Sequence, residues 1–374
     1  MNKILFFILF TITKSFTQTD TLSIIRSYII DYEYDKAINI LDKISNQKPY
    51  DVVILKLMAE ANRLKGSTKI AISLYSKAFL FDSTDASISY NLGNLFENEG
   101  NFLEASNWYE KATKNNQHPF YLLKAGKNAI SLKKPKVAKN FFEKGYSLNP
   151  KLLEYDFCKL LIDEGSYFLA DSILNTTLIK DSLNTKLLTL RISSNYRQGC
   201  MDETLLDLKC LENMGDTSIF TRRMFGYTYY QLNDWGNALL YFQYLIQQDP
   251  DRLENTHYYM AICNKKKNDY DKAIFHYNEA ISAGTSDDLG IYYQNLGEIY
   301  QLEGNTPKAF HAFTMSNEFV QDGKTLFYLA QYAEINEKNK PKAIELYKTY
   351  LTTSDKTFRK SVEERIKYLE QKQK

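Results

Sequence analysis

The stretch Ala86–Pro119, ASISYNLGNLFENEGNFLEASNWYEKATKNNQHP, decides the fold. Tyr90, Leu92, Leu95 and Phe96 fall on one face of a helix, with Gly93 among them. Glycine inside a helix costs about 1 kcal/mol relative to alanine. Gly93 is therefore expected where a neighbouring helix must come close. Gly100 suits a left-handed helix terminus, and Asn101 can cap a second helix. That second helix runs from about Phe102 to Asn115, with Ala105, Trp108, Tyr109 and Ala112 on one stripe. The unit is two antiparallel helices joined by a short turn, too small to bury its own apolar face.

The same unit recurs along the chain. Taking the small residue equivalent to Ala105 as a mark gives Ala37, Ala71, Ala105, Ala138, Ala170, Thr204, Ala238, Ala273, Ala309 and Ala343. Their spacing stays near 34 residues, a period of helical-hairpin solenoids. The position of Gly100 holds Gly66, Gly165, Gly199 and Gly304, with Asn233 and Asn268 in two further units. Pro135, Pro307 and Pro341 stand where second helices should begin, and Pro49, Pro119, Pro150 and Pro250 stand between units. The aromatic mark recurs as Tyr75, Tyr109, Phe142, Phe242, Tyr277, Phe313 and Tyr347, while Leu41, Leu174 and Leu208 replace it elsewhere. Leu152–Gly215 matches the pattern least, with Cys158 and Ile192 at the Gly93 position, and altered curvature is expected there.

Tyr90-Asn91-Leu92-Gly93-Asn94, Phe96, Ala105, Tyr109 and Ala112 fall on the signature positions of the tetratricopeptide repeat family, which this stretch resembles. The resemblance implies an all-α, right-handed superhelical solenoid of about ten antiparallel helix pairs. The reading divides the chain into a segment 1–17, a solenoid 18–353 and a capping helix 354–374. Phe358, Val362, Ile366 and Leu369 form the apolar stripe of that last helix, since a solenoid needs a terminal element with one polar face.

Composition narrows the function. Of 374 residues, 44% are apolar, enough for a continuous core, and the net charge of +2 gives no field for nucleic acid or an anionic membrane. Lys3 followed by the apolar run Ile4–Ile12 and a polar stretch reads as a secretory signal, with cleavage after Thr17. The protein is therefore expected in the periplasm or otherwise exported, with no membrane span after cleavage. Richness in Lys, Asn, Ile and Tyr resembles exported proteins of AT-rich Gram-negative bacteria such as Bacteroidetes. There the resemblance implies an adaptor of secretion, gliding or nutrient-uptake machinery.

Chemistry is sparse. His118, His257, His276 and His311 lack the paired spacing of a zinc helix, and His257 takes a packing position. Cys158, Cys200, Cys210 and Cys263 form no C-x-x-C motif and read as packing cysteines. No phosphate loop or hydrolase elbow occurs. No cofactor, metal or catalytic residue is expected, and the chain is read as a non-enzyme.

In the resembled family first helices line the concave surface that holds peptides. The corresponding positions here include Lys124, Lys127, Tyr155, Lys159, Tyr196 and Arg197. Further along they include Arg223, Tyr227, Tyr230, Tyr258 and Lys265. Tyrosine gives contact area with little entropy to lose, and both it and arginine are enriched at binding hot spots. The expected function is a protein–protein scaffold or adaptor of the cell envelope, holding an acidic or aromatic segment in that groove. The alternative is a carbohydrate- or cell-wall-binding solenoid, with sugar rings stacked on tyrosines. The lysine–asparagine clamp of some family members is not reproduced, because Tyr90 stands at its lysine position.

Overall fold

A computed structural model describes residues 21–284 and 288–371. The expected signal segment lies outside the described residues. The chain divides after Leu190 into two compact units. The first holds α1 (21–30), α2 (Tyr34–Gln47), α3 (Val52–Leu64), α4 (Thr68–Phe81), α5 (Ala86–Asn98), α6 (Phe102–Asn115), α7 (Pro119–Ser131), α8 (Pro135–Leu148), α9 (Pro150–Asp163) and α10 (Tyr167–Lys180). The division falls within α11 (Thr185–Gln198). The second unit continues with α12 (Met201–Asn213), α13 (Ile219–Gln231), α14 (Trp235–Gln248), α15 (Leu253–Lys266), α16 (Tyr270–Ala283), α17 (Leu289–Leu302), α18 (Thr306–Phe319), α19 (Gly323–Ile335), α20 (Lys340–Thr352) and α21 (Arg359–Gln371). Successive helices pair as hairpins, and the described residues contain helices and no strands.

One turn geometry makes these hairpins. A residue in the left-handed region sits five positions before each small mark: Gly66, Gly100, Gly165, Gly199 and Gly304, then Asn233 and Asn268, and also Tyr32, Lys133 and Lys338. The glycines and asparagines are expected from sequence. The other three are L residues held at φ 63°, 56° and 52°, with nothing in their side chains to favour it. In nine hairpins the next residue donates its N–H to the carbonyl five positions back, as Asn101 does to Phe96 and Asn305 to Tyr300. That bond closes the first helix. The same residue opens the second: the Asn101, Asp234, Asp269 and Asn305 side chains each accept an N–H of the following turn.

Packing inside each hairpin obeys a size rule. Gly93 lies under the Tyr109 ring, where an added Cβ would stand 2.7 Å away. Gly126 under Phe142, Gly226 under Phe242 and Gly297 under Phe313 repeat the arrangement. Where the first-helix residue grows, the second-helix residue shrinks. Ile25, Cys158 and Ile192 stand opposite Leu41, Leu174 and Leu208, and all six are fully buried. The apparent mismatch between Leu152 and Gly215 is thus a change of partner sizes at constant sequence separation, and the hairpin is kept. Ala59 with Tyr75 and Ala261 with Tyr277 show that one methyl is accommodated beside a tyrosine, whereas a larger first-helix residue comes with a leucine.

Two details depart from the sequence reading. Pro119 and Pro150 are the first residues of α7 and α9, where a missing N–H costs little. Asn149 ends α8 and caps α9, so this connection is a single residue. At the end of the chain, α21 buries Val362, Ile366 and Leu369 against a core with Phe327, Tyr347 and Tyr350. All four cysteines are free thiols.

Candidate functional site

The residues singled out by sequence fall in both units. In the first unit Lys127, Tyr155 and Lys159 converge. Lys127 and Tyr155 border a recess of 530 Å³ with Lys151, Glu154 and Lys186. Lys127 and Lys159 border a second, of 210 Å³, with Phe142 and Asp163. Asp156 belongs to both and pairs with Lys127 at 3.0 Å. Lys124 instead reaches back to Glu97 at 3.2 Å. Glu97 also accepts the Tyr109 phenol, so one carboxylate ties two hairpins together.

In the second unit the tyrosines gather around a residue the sequence reading does not single out. Tyr259 lies 4.9 Å from Tyr227, 5.0 Å from Tyr230 and 5.6 Å from Tyr258, ring centre to ring centre. Tyr227 also meets Phe242, and Tyr230 meets Trp235. Tyr196 is near enough to act on the ionisation of Tyr227, Tyr230 and Tyr259. Burial, then the neighbouring phenols, pushes Tyr259 up to about 12. Burial likewise raises Tyr227, Tyr230 and Tyr258, so these phenols stay neutral hydrogen-bond donors at physiological pH. Arg197 is exposed.

Four of the six cations expected to meet a partner, Lys124, Lys127, Arg223 and Lys265, have counter-ions. Arg223 pairs at 2.5 Å with Asp249, which is buried at the end of α14. Lys265 contacts Glu298 at 2.7 Å and Asn295 at 3.1 Å. Lys324 pairs with the same Glu298. Burial opposes ionisation of Glu298, but the two lysines outweigh it and lower its pKa. The pattern recurs in the first unit, where Lys56 meets Asp85 at 2.6 Å. The Lys56, Lys265 and Lys324 bonds each link one hairpin's first helix to the first helix of its neighbour, whereas Arg223–Asp249 closes onto the end of its own hairpin, so these charges are structural ties before they are a docking surface. Glu298 holds the position equivalent to Asn94 in Ala86–Pro119, and carrying that offset forward would have found it.

Histidine pairing also escapes the sequence. His257 of α15 and His276 of α16 face each other within one hairpin, Nδ1 to Nδ1 at 3.0 Å. Burial lowers both pKa values, and His276 falls to about 4. Among the described residues no three His, Cys, Asp or Glu side chains gather as a metal site. Nor is any described helix long and apolar enough to cross a membrane.

Hairpins of constant geometry, a buried core within each unit and polar first-helix faces define an all-α helical-repeat solenoid. Residues 86–119 match the family model of the tetratricopeptide repeat. Among solved structures, Pseudomonas aeruginosa PilF is similar at 20% identity and a TM-score of 0.45, over 55% of this chain and 94% of that one. The Naa15/Naa10 assembly bound to HypK is similar at 12% identity and 0.42, over 92% of this chain and 65% of that one. MamA is similar at 20% identity and 0.40, over 45% and 93%. No curated protein sequence matches the chain.

Proposed function

We propose that the protein is a non-enzymatic scaffold or adaptor that holds a peptide or protein segment against the first helices of its second unit. The observation that carries this reading is the aromatic group Tyr196, Tyr227, Tyr230 and Tyr258 around Tyr259, bordered by Arg223. Half-buried tyrosines offer rigid apolar area and neutral donors together. The cations beside them, Arg223 and Lys265, are held in place by Asp249 and Glu298. The repeat match at residues 86–119 supports an interaction role for the class.

We place this adaptor in a bacterial cell envelope, on the strength of the amino-terminal sequence alone: Lys3, the apolar run and the polar stretch to Thr17. Sequencing the amino terminus of the mature protein from fractionated cells tests the location. A start at Gln18 in the periplasmic fraction supports it, and an intact amino terminus in the cytosol overturns it.

Affinity capture with cross-linking from native envelopes tests the site. Replacing Arg223, Tyr227 and Tyr230 together with alanine should abolish capture of the native partner. Because those tyrosines also pack, Lys265→Glu and Tyr196→Ala serve as milder variants, each checked by its melting curve. Capture unchanged in all three overturns the assignment.

A further inference from the structure

The tenth hairpin breaks the repeat in one place. Its turn is one residue longer: Asn339 donates to Ala333, six positions back, where the other nine hairpins span five. The small position shifts with it. Ala330, fully buried, takes the place that Gly297 holds in the ninth hairpin, and Gln331 turns half-exposed beside it. A recess of 300 Å³ opens here between α18 and α19.

The walls of this recess are aromatic and its rim is amide. Phe310 stacks on Tyr332 at 3.9 Å, and Phe313 on Tyr328 at 4.8 Å, each pair bridging α18 and α19. These stacks fix the walls before any ligand arrives, which lowers the ordering cost of binding. Gln301, Gln331 and Asn336 line the opening, with the Thr306 hydroxyl. The three amides make no side-chain hydrogen bond within the described protein. Each carries both donors and an acceptor, unspent. No carboxylate, ammonium or guanidinium lines the recess. Lys342, whose ammonium lies 6.0 Å from the Phe310 ring, is paired with Glu337 at 3.2 Å.

We propose that this recess binds a neutral polyhydroxylated ring, a saccharide unit. A hydroxyl is donor and acceptor at once, as a primary amide is, so vicinal hydroxyls match the rim. The C–H face of a sugar ring is apolar and weakly positive, which suits walls of aromatic carbon. A charged ligand would lose hydration and find no counter-ion. The volume stands at the lower end of small-ligand sites, which begin at about 300 Å³. This inference does not rest on the protein-binding reading of the tyrosine group, and either can fail alone.

The test is titration of the full chain with glucose, galactose, N-acetylglucosamine and their neutral disaccharides. Calorimetry and saturation-transfer difference NMR give the readout, with glucuronate and a neutral asparagine-containing tripeptide as comparison probes. At least one neutral sugar should bind with a dissociation constant of about 1 mM or tighter. Gln331→Ala and Asn336→Ala should each weaken it about tenfold. Neither substitution should move the melting curve, because neither side chain holds the fold. The proposal is overturned if no neutral sugar binds, if both variants bind as well as the parent, or if glucuronate or the tripeptide binds more tightly than every neutral sugar.

Discussion

His257 Nδ1 lies 3.0 Å from His276 Nδ1, with both rings buried. One nitrogen must donate and the other accept, so the bond survives one extra proton, which burial opposes, and is broken by two. Glu279 favours the charged form of His257, Lys272 disfavours that of His276, and burial opposes both. A folded pKa below the unfolded value of 6.5 means the unfolded chain binds more protons as pH falls. Stability is thus full above pH 6.5 and declines toward about 4, where His276 titrates. Melting temperatures across this range should show the decline. The double variant His257→Leu, His276→Phe should flatten it, and an unchanged profile would disprove the assignment. The single change His276→Ala leaves His257 Nδ1 unpartnered and should cost about 1–3 kcal/mol at pH 7.

The size rule predicts a rescue. Gly126→Ala places a Cβ 2.2 Å from the Phe142 ring and should destabilise by about 1–3 kcal/mol. Adding Phe142→Leu reproduces the Cys158–Leu174 solution and should recover part of that loss. A double-mutant cycle by denaturant unfolding should give a coupling of about 1 kcal/mol or more. Simple additivity would refute the rule.

Lys133 and Lys338 are exposed residues in the left-handed region. Lys133→Gly and Lys338→Gly should each stabilise by up to about 1 kcal/mol, since glycine adopts this conformation without the Cβ penalty. The reverse experiment is Gly100→Ala, at φ 75° with open space around the missing Cβ. It should cost about 1 kcal/mol through backbone strain alone. Chemical denaturation measures all three.

Glu298→Gln removes the counter-ion shared by Lys265 and Lys324. A loss of about 1–3 kcal/mol is expected at pH 7, reduced in high salt. The folded pKa of Glu298 lies below its ordinary 4.5, so the carboxylate's contribution is present above that pH and disappears as acid protonates it. Variant and parent should converge in stability at low pH, and a gap that persists there would count against the ion-pair account.

Much of the architecture is legible in the sequence because it rests on short-range rules. Gly93 and Tyr109 are sixteen residues apart, Gly100 and Ala105 five, and such offsets survive any change elsewhere. Left-handed Tyr32, Lys133 and Lys338 are not legible, because their neighbours impose the strain and their own chemistry does not signal it. The site is less legible for a different reason. Lys124 finds Glu97, and Lys265 finds Glu298, across about thirty residues, so a set of basic positions cannot tell a free cation from a paired one. Tyr259 holds the position equivalent to Asn91, so the offset reaches it, but nothing in the sequence shows that its ring is the centre of the group.

The fixed distance of five residues from turn to small mark has a consequence for how this chain can change length. Departures from a 34-residue spacing are absorbed outside it: by the short joint 116–118 and the lone Asn149 where the spacing shortens, and by Pro250–Arg252 and the segment after Gly284 where it lengthens. The hairpin is the indivisible cassette, and the joints between cassettes are the only places where residues come and go freely. Lineages could splice, copy or trim this protein one whole hairpin at a time. A single residue added within a hairpin would rotate a helix face, and the one longer turn, that of the tenth hairpin, is where a recess lies.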